Sequence, residues 1–306
     1  MGELVVDAGT DRTFYLDYPE SLSAGETVTF ILNLHGGGSS GRWQHRYFPA
    51  HDLKDRYRLV VATPTAASDE PRRWVGEADD EHLHNVVRIV VDRFGGQTIG
   101  SFWLVGHSQG GMTANRLLRT PFFADRVDGW LSLSGGRLGP AERAPNAGPP
   151  GGIRRAASRQ GAGGGDGTTP RGFPTPPPGL PDADFSFIYA TGEHEIASLP
   201  ESSPWAERYV AGPRERMPDV VDDEPGKVYD RLREGNSTAA WGLLPRPGTA
   251  QVYVYPDARD GRVIADVVRL DKGHTEGLEP NVTEALVRLM VSAPGGKLRK
   301  LPAARA

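Results

Sequence analysis

A serine stands between two glycines where a strand-like run of residues gives way to a helical pattern. The motif at 106–110 reads Gly-His-Ser-Gln-Gly, with Ser108 at its centre, and it follows the apolar run 101–105. A chain that turns from strand to helix over so few residues needs glycines on either side, because larger side chains would strike the neighbouring strand and helix. We therefore predict that Ser108 lies in a strained turn above a helix N-terminus, a setting that suits a nucleophile.

A glycine-rich loop follows an earlier buried-strand pattern, Val28–Leu34, and reads His-Gly-Gly-Gly-Ser-Ser-Gly over 35–41. Backbone N–H groups in such a loop can reach a carbonyl oxygen and stabilise the charge that acyl transfer builds there, each by about 3–4 kcal/mol. We assign these donors to the N–H of Gln109 and to that of Gly37 or Gly38. A plain turn is the alternative interpretation. A phosphate-binding loop is disfavoured, because no Gly-Lys-Ser/Thr follows.

A histidine near the C-terminal end has the setting of a general base. His274 lies within the stretch 271–277, between a strand-like run at 267–270 and a helical pattern at 281–291. This arrangement resembles that of α/β-hydrolases, in which the nucleophile comes first along the chain, the acid second and the histidine last, on a loop between the last strand and the last helix. We predict that His274 takes the proton of Ser108 and then passes it to the leaving group. An ordinary loop histidine is the alternative.

The acidic partner of His274 should lie between it and Ser108, on a turn after a strand. Residues 184–190 predict that strand, and the turn at 191–196 contains Glu193 and Glu195. Glu195 occupies the position at which many hydrolases carry aspartate, so we choose it to orient the imidazole, with Glu193 as the second choice. Aspartates further along are expected to be solvated loop charges: Asp222, Asp223, Asp257 and Asp260.

The motifs at 34–41 and 106–117 resemble those of α/β-hydrolase esterases, in particular the feruloyl esterase and polyhydroxybutyrate-depolymerase-like group. The resemblance covers 28–134, with weaker support from 184–196 and 267–291. It implies an α/β-hydrolase fold and hydrolysis of a carboxylic ester through an acyl-enzyme, without metal or organic cofactor. The chain departs from that group in having no cysteine, a glutamate as the acid, and no Trp-Pro after the histidine.

Aromatic residues near these motifs suggest an aryl ester, a lactone or a hydroxyalkanoate oligomer as the small-molecule substrate. We expect Trp43, Tyr47, Trp205, Tyr209 and Trp241 to line its binding pocket. Two other functions are compatible with the same residues. One is a peptidase or amide hydrolase, which fold analogy cannot separate from an esterase. The other is a non-catalytic protein that binds small molecules and retains the hydrolase fold.

Composition narrows the class of protein. The chain has 306 residues, enough for a sizeable α/β core, and a net charge of −4 with both signs interspersed, which argues against nucleic-acid binding. The absence of cysteine excludes disulfides and cysteine-based metal sites. We see no signal-peptide pattern and no run of about 20 apolar residues that could span a membrane. We therefore expect a cytoplasmic protein without a membrane partner, and a homo-oligomer is compatible with the sequence.

Strand-like and helix-like segments alternate, which predicts a mostly parallel sheet with helices on both faces. We expect 12–18 and 28–34 to open the sheet as antiparallel edge strands. The clearest helix, 80–94, should be capped by Asp79 or Asp80 and should carry His82 and His84 on its solvated surface. The last helix should begin with Asn281 and Glu284 as a capping pair.

The predicted hydrolase core comprises 1–136, 183–197 and 248–296. Segment 137–182 is rich in glycine and proline, so we expect a mobile insertion that buries too little apolar surface to order itself. Segment 198–247 should form a lid or cap near the nucleophile, with ordinary packing of a small helical excursion as the alternative. Residues 297–306 are expected to be a basic, frayed tail.

Overall fold

The structure is a computed structural model that describes residues 2–68, 72–139, 142–143, 179–231 and 238–300. Its strands are β1 (Glu3–Asp7), β2 (Arg12–Asp17), β3 (Val28–Leu34), β4 (Leu59–Pro64), β5 (Ile99–His107), β6 (Gly129–Leu133), β7 (Glu142–Arg143), β8 (Ser186–Gly192), β9 (Ile196–Ser198), β10 (Glu215–Arg216), β11 (Val220–Val221), β12 (Thr249–Val254) and β13 (Ile264–Arg269). Its α-helices are α1 (Gly41–Tyr47), α2 (Lys54–Tyr57), α3 (Gly76–Phe94), α4 (Gln109–Leu117), α5 (Pro121–Ala124), α6 (Pro204–Arg208), α7 (Pro280–Ser292) and α8 (Lys297–Lys300). Single 3₁₀ turns lie at Ala50–Leu53, Glu193–Glu195 and Arg259–Gly261.

One large sheet forms the centre of the molecule, with the strand order β1-β2-β4-β3-β5-β6-β8-β13-β12-β10 and with β11 also paired to β12. The strands from β4 to β13 in this order run parallel, whereas β1, β2 and β12 are antiparallel to their neighbours. The parallel strands therefore all end at one edge of the sheet. This order, with a strand–Gly-x-Ser-x-Gly–helix turn at its middle, defines the α/β-hydrolase fold.

The prediction that Val28–Leu34 is an antiparallel edge strand is wrong. This strand, β3, is parallel to both of its neighbours and is buried along its whole length. An uninterrupted apolar run is typical of a parallel strand covered on both faces. The edge of the sheet is instead formed by the antiparallel hairpin of β1 and β2. Of these two strands only β2 was predicted.

Alternate residues of the central strands feed two apolar layers. Phe30 and Phe102 stack with ring centroids 4.5 Å apart on the face covered by α3 and α4. Ile31 and Trp103 point to the opposite face, where α1 and α7 pack. This is the sandwich that the alternation of strands and helices predicts, with a core on each side of the sheet.

The long helix α3 begins at Gly76, four residues before the predicted start. Asp79 accepts hydrogen bonds from the N–H groups of Val75 and Ala67, at 2.5 and 3.0 Å, and so holds the helix start from within its first turns. The prediction that His82 is solvated is wrong, because its ring is fully buried and bonds Asp7 at 2.7 Å. Its partner Asp7 lies on β1, a strand that was not predicted.

The last long helix, α7, is capped from a distant part of the chain. Asp222 accepts hydrogen bonds from the N–H of Asn281 at 2.6 Å and of Val282 at 3.1 Å, and it is buried rather than solvated. Glu284 instead bonds Tyr57 at 2.7 Å, so the predicted capping pair of Asn281 and Glu284 is not formed. Segment 198–247 thus contributes to the fold through Asp222 and through β10 and β11, which extend the sheet.

The remaining predictions on domain organisation fall partly outside the described residues. Of the predicted insertion 137–182, the stretches 140–141 and 144–178 lie outside them, as do 232–237 and 301–306. Residues 297–300 are not frayed, since they form α8, whose Leu298 is buried and whose Lys297 Nζ donates to the carbonyl of Ala124 at 2.8 Å.

Candidate active site

Ser108 lies in the turn between β5 and α4, at the centre of the sheet. Its backbone has φ 52° and ψ −118°, a left-handed conformation that is costly for a residue with a side chain. A Cβ on Gly106 would lie 2.3 Å from the backbone of Gly110, and one on Gly110 would lie 2.4 Å from the carbonyl oxygen of Leu34. The glycines are therefore required by close backbone approach on both sides of the serine, as the sequence predicts.

His274 lies on the loop between β13 and α7 and reaches Ser108. Its Nε2 is 2.9 Å from Ser108 Oγ, although 166 residues separate the two along the chain. Both residues are buried, with only 4% and 7% of their surface exposed. The fold thus brings together a hydroxyl and an imidazole at hydrogen-bond distance in a largely dry setting.

The carboxylate of Glu195 completes this chain of hydrogen bonds. Its Oε2 lies 2.6 Å from Nδ1 of His274, while Oε1 accepts hydrogen bonds from Ser134 Oγ at 2.7 Å and from the N–H of Gly192 at 2.9 Å. Burial opposes ionisation of this side chain, but the charge and hydrogen bond of His274 and the other donors outweigh it and lower the pKa of Glu195 to about 2. Glu195 therefore remains a carboxylate near neutral pH.

The second choice for the acid, Glu193, has a different partner. Its carboxylate accepts a hydrogen bond from the N–H of Asp271 at 2.8 Å. Glu193 and Glu195 share one short 3₁₀ turn, so only one of them can face the imidazole. In the structure Glu195 faces the imidazole of His274, and Glu193 connects the turn to Asp271 at the start of the histidine loop.

Two of the three predicted oxyanion donors have N–H groups free of other bonds. The N–H of Gly38 donates to the carbonyl of Arg72 at 2.7 Å. Within the described ranges no hydrogen bond uses the N–H of Gly37 or of Gln109. The loop also comes close to the nucleophile, because a Cβ on Gly36 would lie 3.2 Å from Cβ of Ser108. Of the three predicted donors, Gly37 and Gln109 therefore keep an N–H that is available to a ligand, and Gly38 does not.

His35, the first residue of this loop, locks its shape. Its Nδ1 donates to the carbonyl of Gly36 at 2.7 Å and its Nε2 accepts from the N–H of Ala66 at 3.0 Å, so the ring must be neutral. Burial lowers its pKa to about 4. Trp74 Nε1 donates to the carbonyl of His35 at 2.7 Å. This role of His35 was not predicted, and the only signal for it in the sequence is its position directly before three glycines.

The five aromatic residues predicted to line a pocket divide into two groups. Trp43 and Trp241 are half-buried, and Trp241 lies over the imidazole of His274 with centroids 5.1 Å apart. Tyr47 is buried behind Trp43, at 4.8 Å, and so supports the site rather than lining it. Trp241 and Tyr47 thus lie against His274, and Trp43 lies against His107, while a role of Trp43 and Trp241 in binding substrate stays a prediction.

The prediction for Trp205 and Tyr209 is corrected by the structure. Both are fully buried; Trp205 stacks on Phe185 at 4.3 Å and Tyr209 Oη donates to Asp184 at 2.8 Å. These partners precede β8, whereas Glu195 follows its far end, and a strand of that length spans about 20 Å. Trp205 and Tyr209 are therefore core residues at the opposite edge of the sheet, placed there because α6 packs under it.

Buried ions hold the histidine loop from below. Arg269 bonds Glu279 at 3.0 Å and donates to the carbonyls of Glu276 and Gly277, each at 2.8 Å. Lys272 Nζ lies 2.9 Å from Glu279 and 3.7 Å from Glu276. Two cations face two carboxylates here, so each buried charged group has a group of opposite charge nearby, and removal of one partner would be strongly destabilising. The loop backbone is thereby fixed on its inner side.

Two further findings concern other classes of site. In the described part of the chain, no three histidine or acidic side chains are grouped so that they could hold a metal ion. None of the helices in that part is both long and apolar enough to cross a membrane.

Comparisons with known proteins report similarity to hydrolase structures. No protein-family model and no curated protein matches the chain. Acetyl xylan esterase from Aspergillus awamori aligns over 94% of this chain and 98% of its own, with 12% identity and a TM-score of 0.49. An alpha-beta serine hydrolase homologue from Coxiella burnetii aligns over 63% of this chain and 74% of its own, with 15% identity and a TM-score of 0.35. Est1E from Butyrivibrio proteoclasticus aligns over 43% of this chain and 50% of its own, with 16% identity and a TM-score of 0.31.

Proposed function

We propose that the protein is a serine hydrolase that cleaves a carboxylic ester through an acyl-enzyme. The observation that carries this proposal is the continuous chain of hydrogen bonds from Ser108 Oγ through His274 to the ionised Glu195. A nucleophile, a base and a group that orients the base are the parts that acyl transfer requires.

Each part has a definite role in this reaction. Ser108 Oγ attacks the ester carbonyl carbon while His274 Nε2 takes its proton, and Glu195 stabilises the imidazolium that forms. The N–H groups of Gln109 and Gly37 bind the oxyanion. His274 then gives its proton to the leaving alcohol. Water then attacks the acyl-enzyme while His274 takes its proton, and His274 passes that proton to Ser108 Oγ as the acid is released.

The substrate class that we propose is a small ester with an aromatic or apolar group, such as an aryl ester, a lactone or a hydroxyalkanoate oligomer. The half-exposed rings of Trp43 and Trp241 support this choice, since they flank His107 and His274 and offer flat apolar surface beside the nucleophile. No charged side chain is needed to bind such a group.

The test is the turnover of a p-nitrophenyl ester by the wild-type protein and by Ser108→Ala. Loss of the nucleophile should reduce kcat by about 10⁴–10⁶-fold, as substitution of the catalytic serine, histidine or acid does in other serine hydrolases. The circular dichroism spectrum should stay unchanged. Near-full activity of Ser108→Ala would reject the mechanism. A matched pair of ester and amide substrates, run in the same assay, decides whether the enzyme is an esterase or an amide hydrolase.

A further inference from the structure

The main-chain carbonyl of His274 accepts two hydrogen bonds from side chains to which the mechanism above gives no role. His107 Nε2 lies 2.8 Å from this oxygen, and Tyr47 Oη lies 3.3 Å from it. Both donors are buried. Because a carbonyl oxygen can only accept, the proton of His107 must be on Nε2.

The ring of His107 is enclosed by other parts of the site. Its centroid lies 4.1 Å from that of Tyr47, 4.9 Å from that of His274 and 5.4 Å from that of Trp43. Burial lowers the pKa of His107 to about 3, so the ring is neutral under ordinary conditions. It thus acts as a donor of one hydrogen bond rather than as a titrating group.

The other nitrogen of this ring faces the oxyanion loop. Nδ1 of His107 is buried and has no hydrogen-bond partner, and a Cβ on Gly36 would lie 2.8 Å from it. A 180° flip of the ring would not cure this, because it would put Cε1 in the place of Nε2 and break the bond to His274. A buried polar atom left unpaired is costly. The unpaired Nδ1 therefore destabilises the fold, and we infer that the hydrogen bond from Nε2 to His274 has a function that offsets this loss.

We propose that His107 is a positioning residue, which sets the place of the general base by holding the main-chain carbonyl of His274, with Tyr47 as a second and longer donor. His107 directly precedes Ser108, so this bond ties the backbone of the nucleophile to that of the base. The N–H of His274 is held separately, by the carbonyl of Ala240 at 3.1 Å. The inference rests on the proposed function of His274.

The competing explanation is that the buried ring of His107 only fills space. Two substitutions distinguish this packing role from the positioning role. His107→Gln keeps a donor near the position of Nε2 but removes the ring. His107→Phe keeps the ring and removes the donor. Positioning predicts that His107→Gln is the more active variant, whereas packing predicts the reverse order.

The expected effect lies in kcat. A base displaced by a fraction of an ångström should lose activity, so we expect kcat of His107→Phe to fall about 10–100-fold with little change in KM, and that of His107→Gln to fall by only a few fold. Tyr47→Phe should have a smaller effect. The double variant of His107→Phe and Tyr47→Phe should lose more than the product of the single effects, because each single variant leaves one donor on the shared carbonyl and the double variant leaves neither.

His82→Phe serves as the matched control, since it also removes a buried, hydrogen-bonded histidine, but on α3. It should lower the melting temperature without lowering kcat. The inference is overturned if His107→Phe equals or exceeds His107→Gln in kcat, or if both retain wild-type kcat. It is also overturned if the acid limb of the pH–rate profile moves in His107→Gln, because His107 would then be titrating in the reaction.

A second measurement keeps this result separate from the proposed function. The proton shared by His274 Nδ1 and Glu195 can be followed by proton NMR without any substrate. We expect its resonance to shift in His107→Phe and to stay near the wild-type position in His107→Gln and His82→Phe. An unchanged resonance in His107→Phe overturns the inference, whereas absence of turnover that depends on Ser108 would instead reject the proposed function.

Discussion

At the residue scale, the two glutamates of one turn provide a matched pair. Glu195 faces His274 at 2.6 Å, while Glu193 bonds a backbone N–H at the loop start. We predict that Glu195→Gln lowers kcat of ester hydrolysis by about 10³–10⁴-fold, because the amide cannot stabilise the imidazolium. Glu193→Gln should stay within a few fold of wild type. Equal losses in the two variants would contradict the assignment of the acid.

The roles of single residues could be predicted from sequence only where a local motif defines them. Ser108 and His274 stand in motifs that imply their setting, and the structure brings them together. Tyr47 and Trp205 look alike in the sequence as aromatic residues near the predicted site. Whether such a ring faces the site or the core depends on which element packs over it, and that information is not local.

At the element scale, the turn between β5 and α4 depends on the absence of side chains. We predict that Gly110→Ala is destabilised by several kcal/mol or fails to fold, because the new Cβ would lie 2.4 Å from backbone of β3 that cannot yield. Gly96→Ala is the control, since its Cβ would lie no closer than 3.6 Å to its neighbours. Urea denaturation measures both, and equal midpoints would show that the turn can adapt.

A second element-scale prediction concerns the cap of α7. Asp222→Ala removes the acceptor of two backbone N–H groups and should lower the free energy of unfolding by about 1–2 kcal/mol. Asp223→Ala, at the exposed neighbouring position, should change it by less than about 0.5 kcal/mol. The same urea denaturation measures this pair. A similar stability of both variants would mean that Asp222 does not act as the cap.

The elements and the layered α/β architecture could be predicted from the sequence, whereas the positions of single strands in the sheet could not. The periodicity of α3 and the apolar runs of β3, β5 and β8 indicate the correct types of structure, because each is a repeating local pattern. The place of β3 within the sheet depends on a crossover past β4, to which the order along the chain gives no clue. The cap of α7 by Asp222 joins residues about 60 positions apart and leaves no local signal.

At the scale of the whole molecule, Glu195 links the site to acid stability. Its pKa, lowered to about 2 against a normal 4.5, means that its ionised form stabilises the fold at pH values above about 4.5. This contribution is lost as the pH falls from about 4.5 to 2. Burial raises the pKa of Asp128 and of Asp222, so ionisation of these two groups destabilises the fold as the pH rises. Their effect on stability is the same in wild type and in a Glu195 variant, and it cancels when the two proteins are compared at each pH.

The comparison is between wild type and Glu195→Gln in urea denaturation at pH 7, 5 and 3. We expect Glu195→Gln to be less stable than wild type at pH 7 and 5, and the difference to shrink at pH 3. Glu193→Gln should show no such convergence. A difference between wild type and Glu195→Gln that is constant with pH would mean that the pKa of Glu195 is not lowered in the folded protein.

The separation of 166 positions between Ser108 and His274 has a consequence for how the proposed activity would be acquired during folding. His274 follows β13, which is linked to β5 only through the pairings β13–β8, β8–β6 and β6–β5, so the imidazole meets Ser108 only when all of these strands have paired. Non-local pairing of this kind is slow. Tryptophans of the central strands, Trp103 and Trp130, can become shielded while the chain is still inert. In a refolding experiment, recovery of turnover should therefore report the completion of the sheet, whereas the change in tryptophan fluorescence should report only its early assembly.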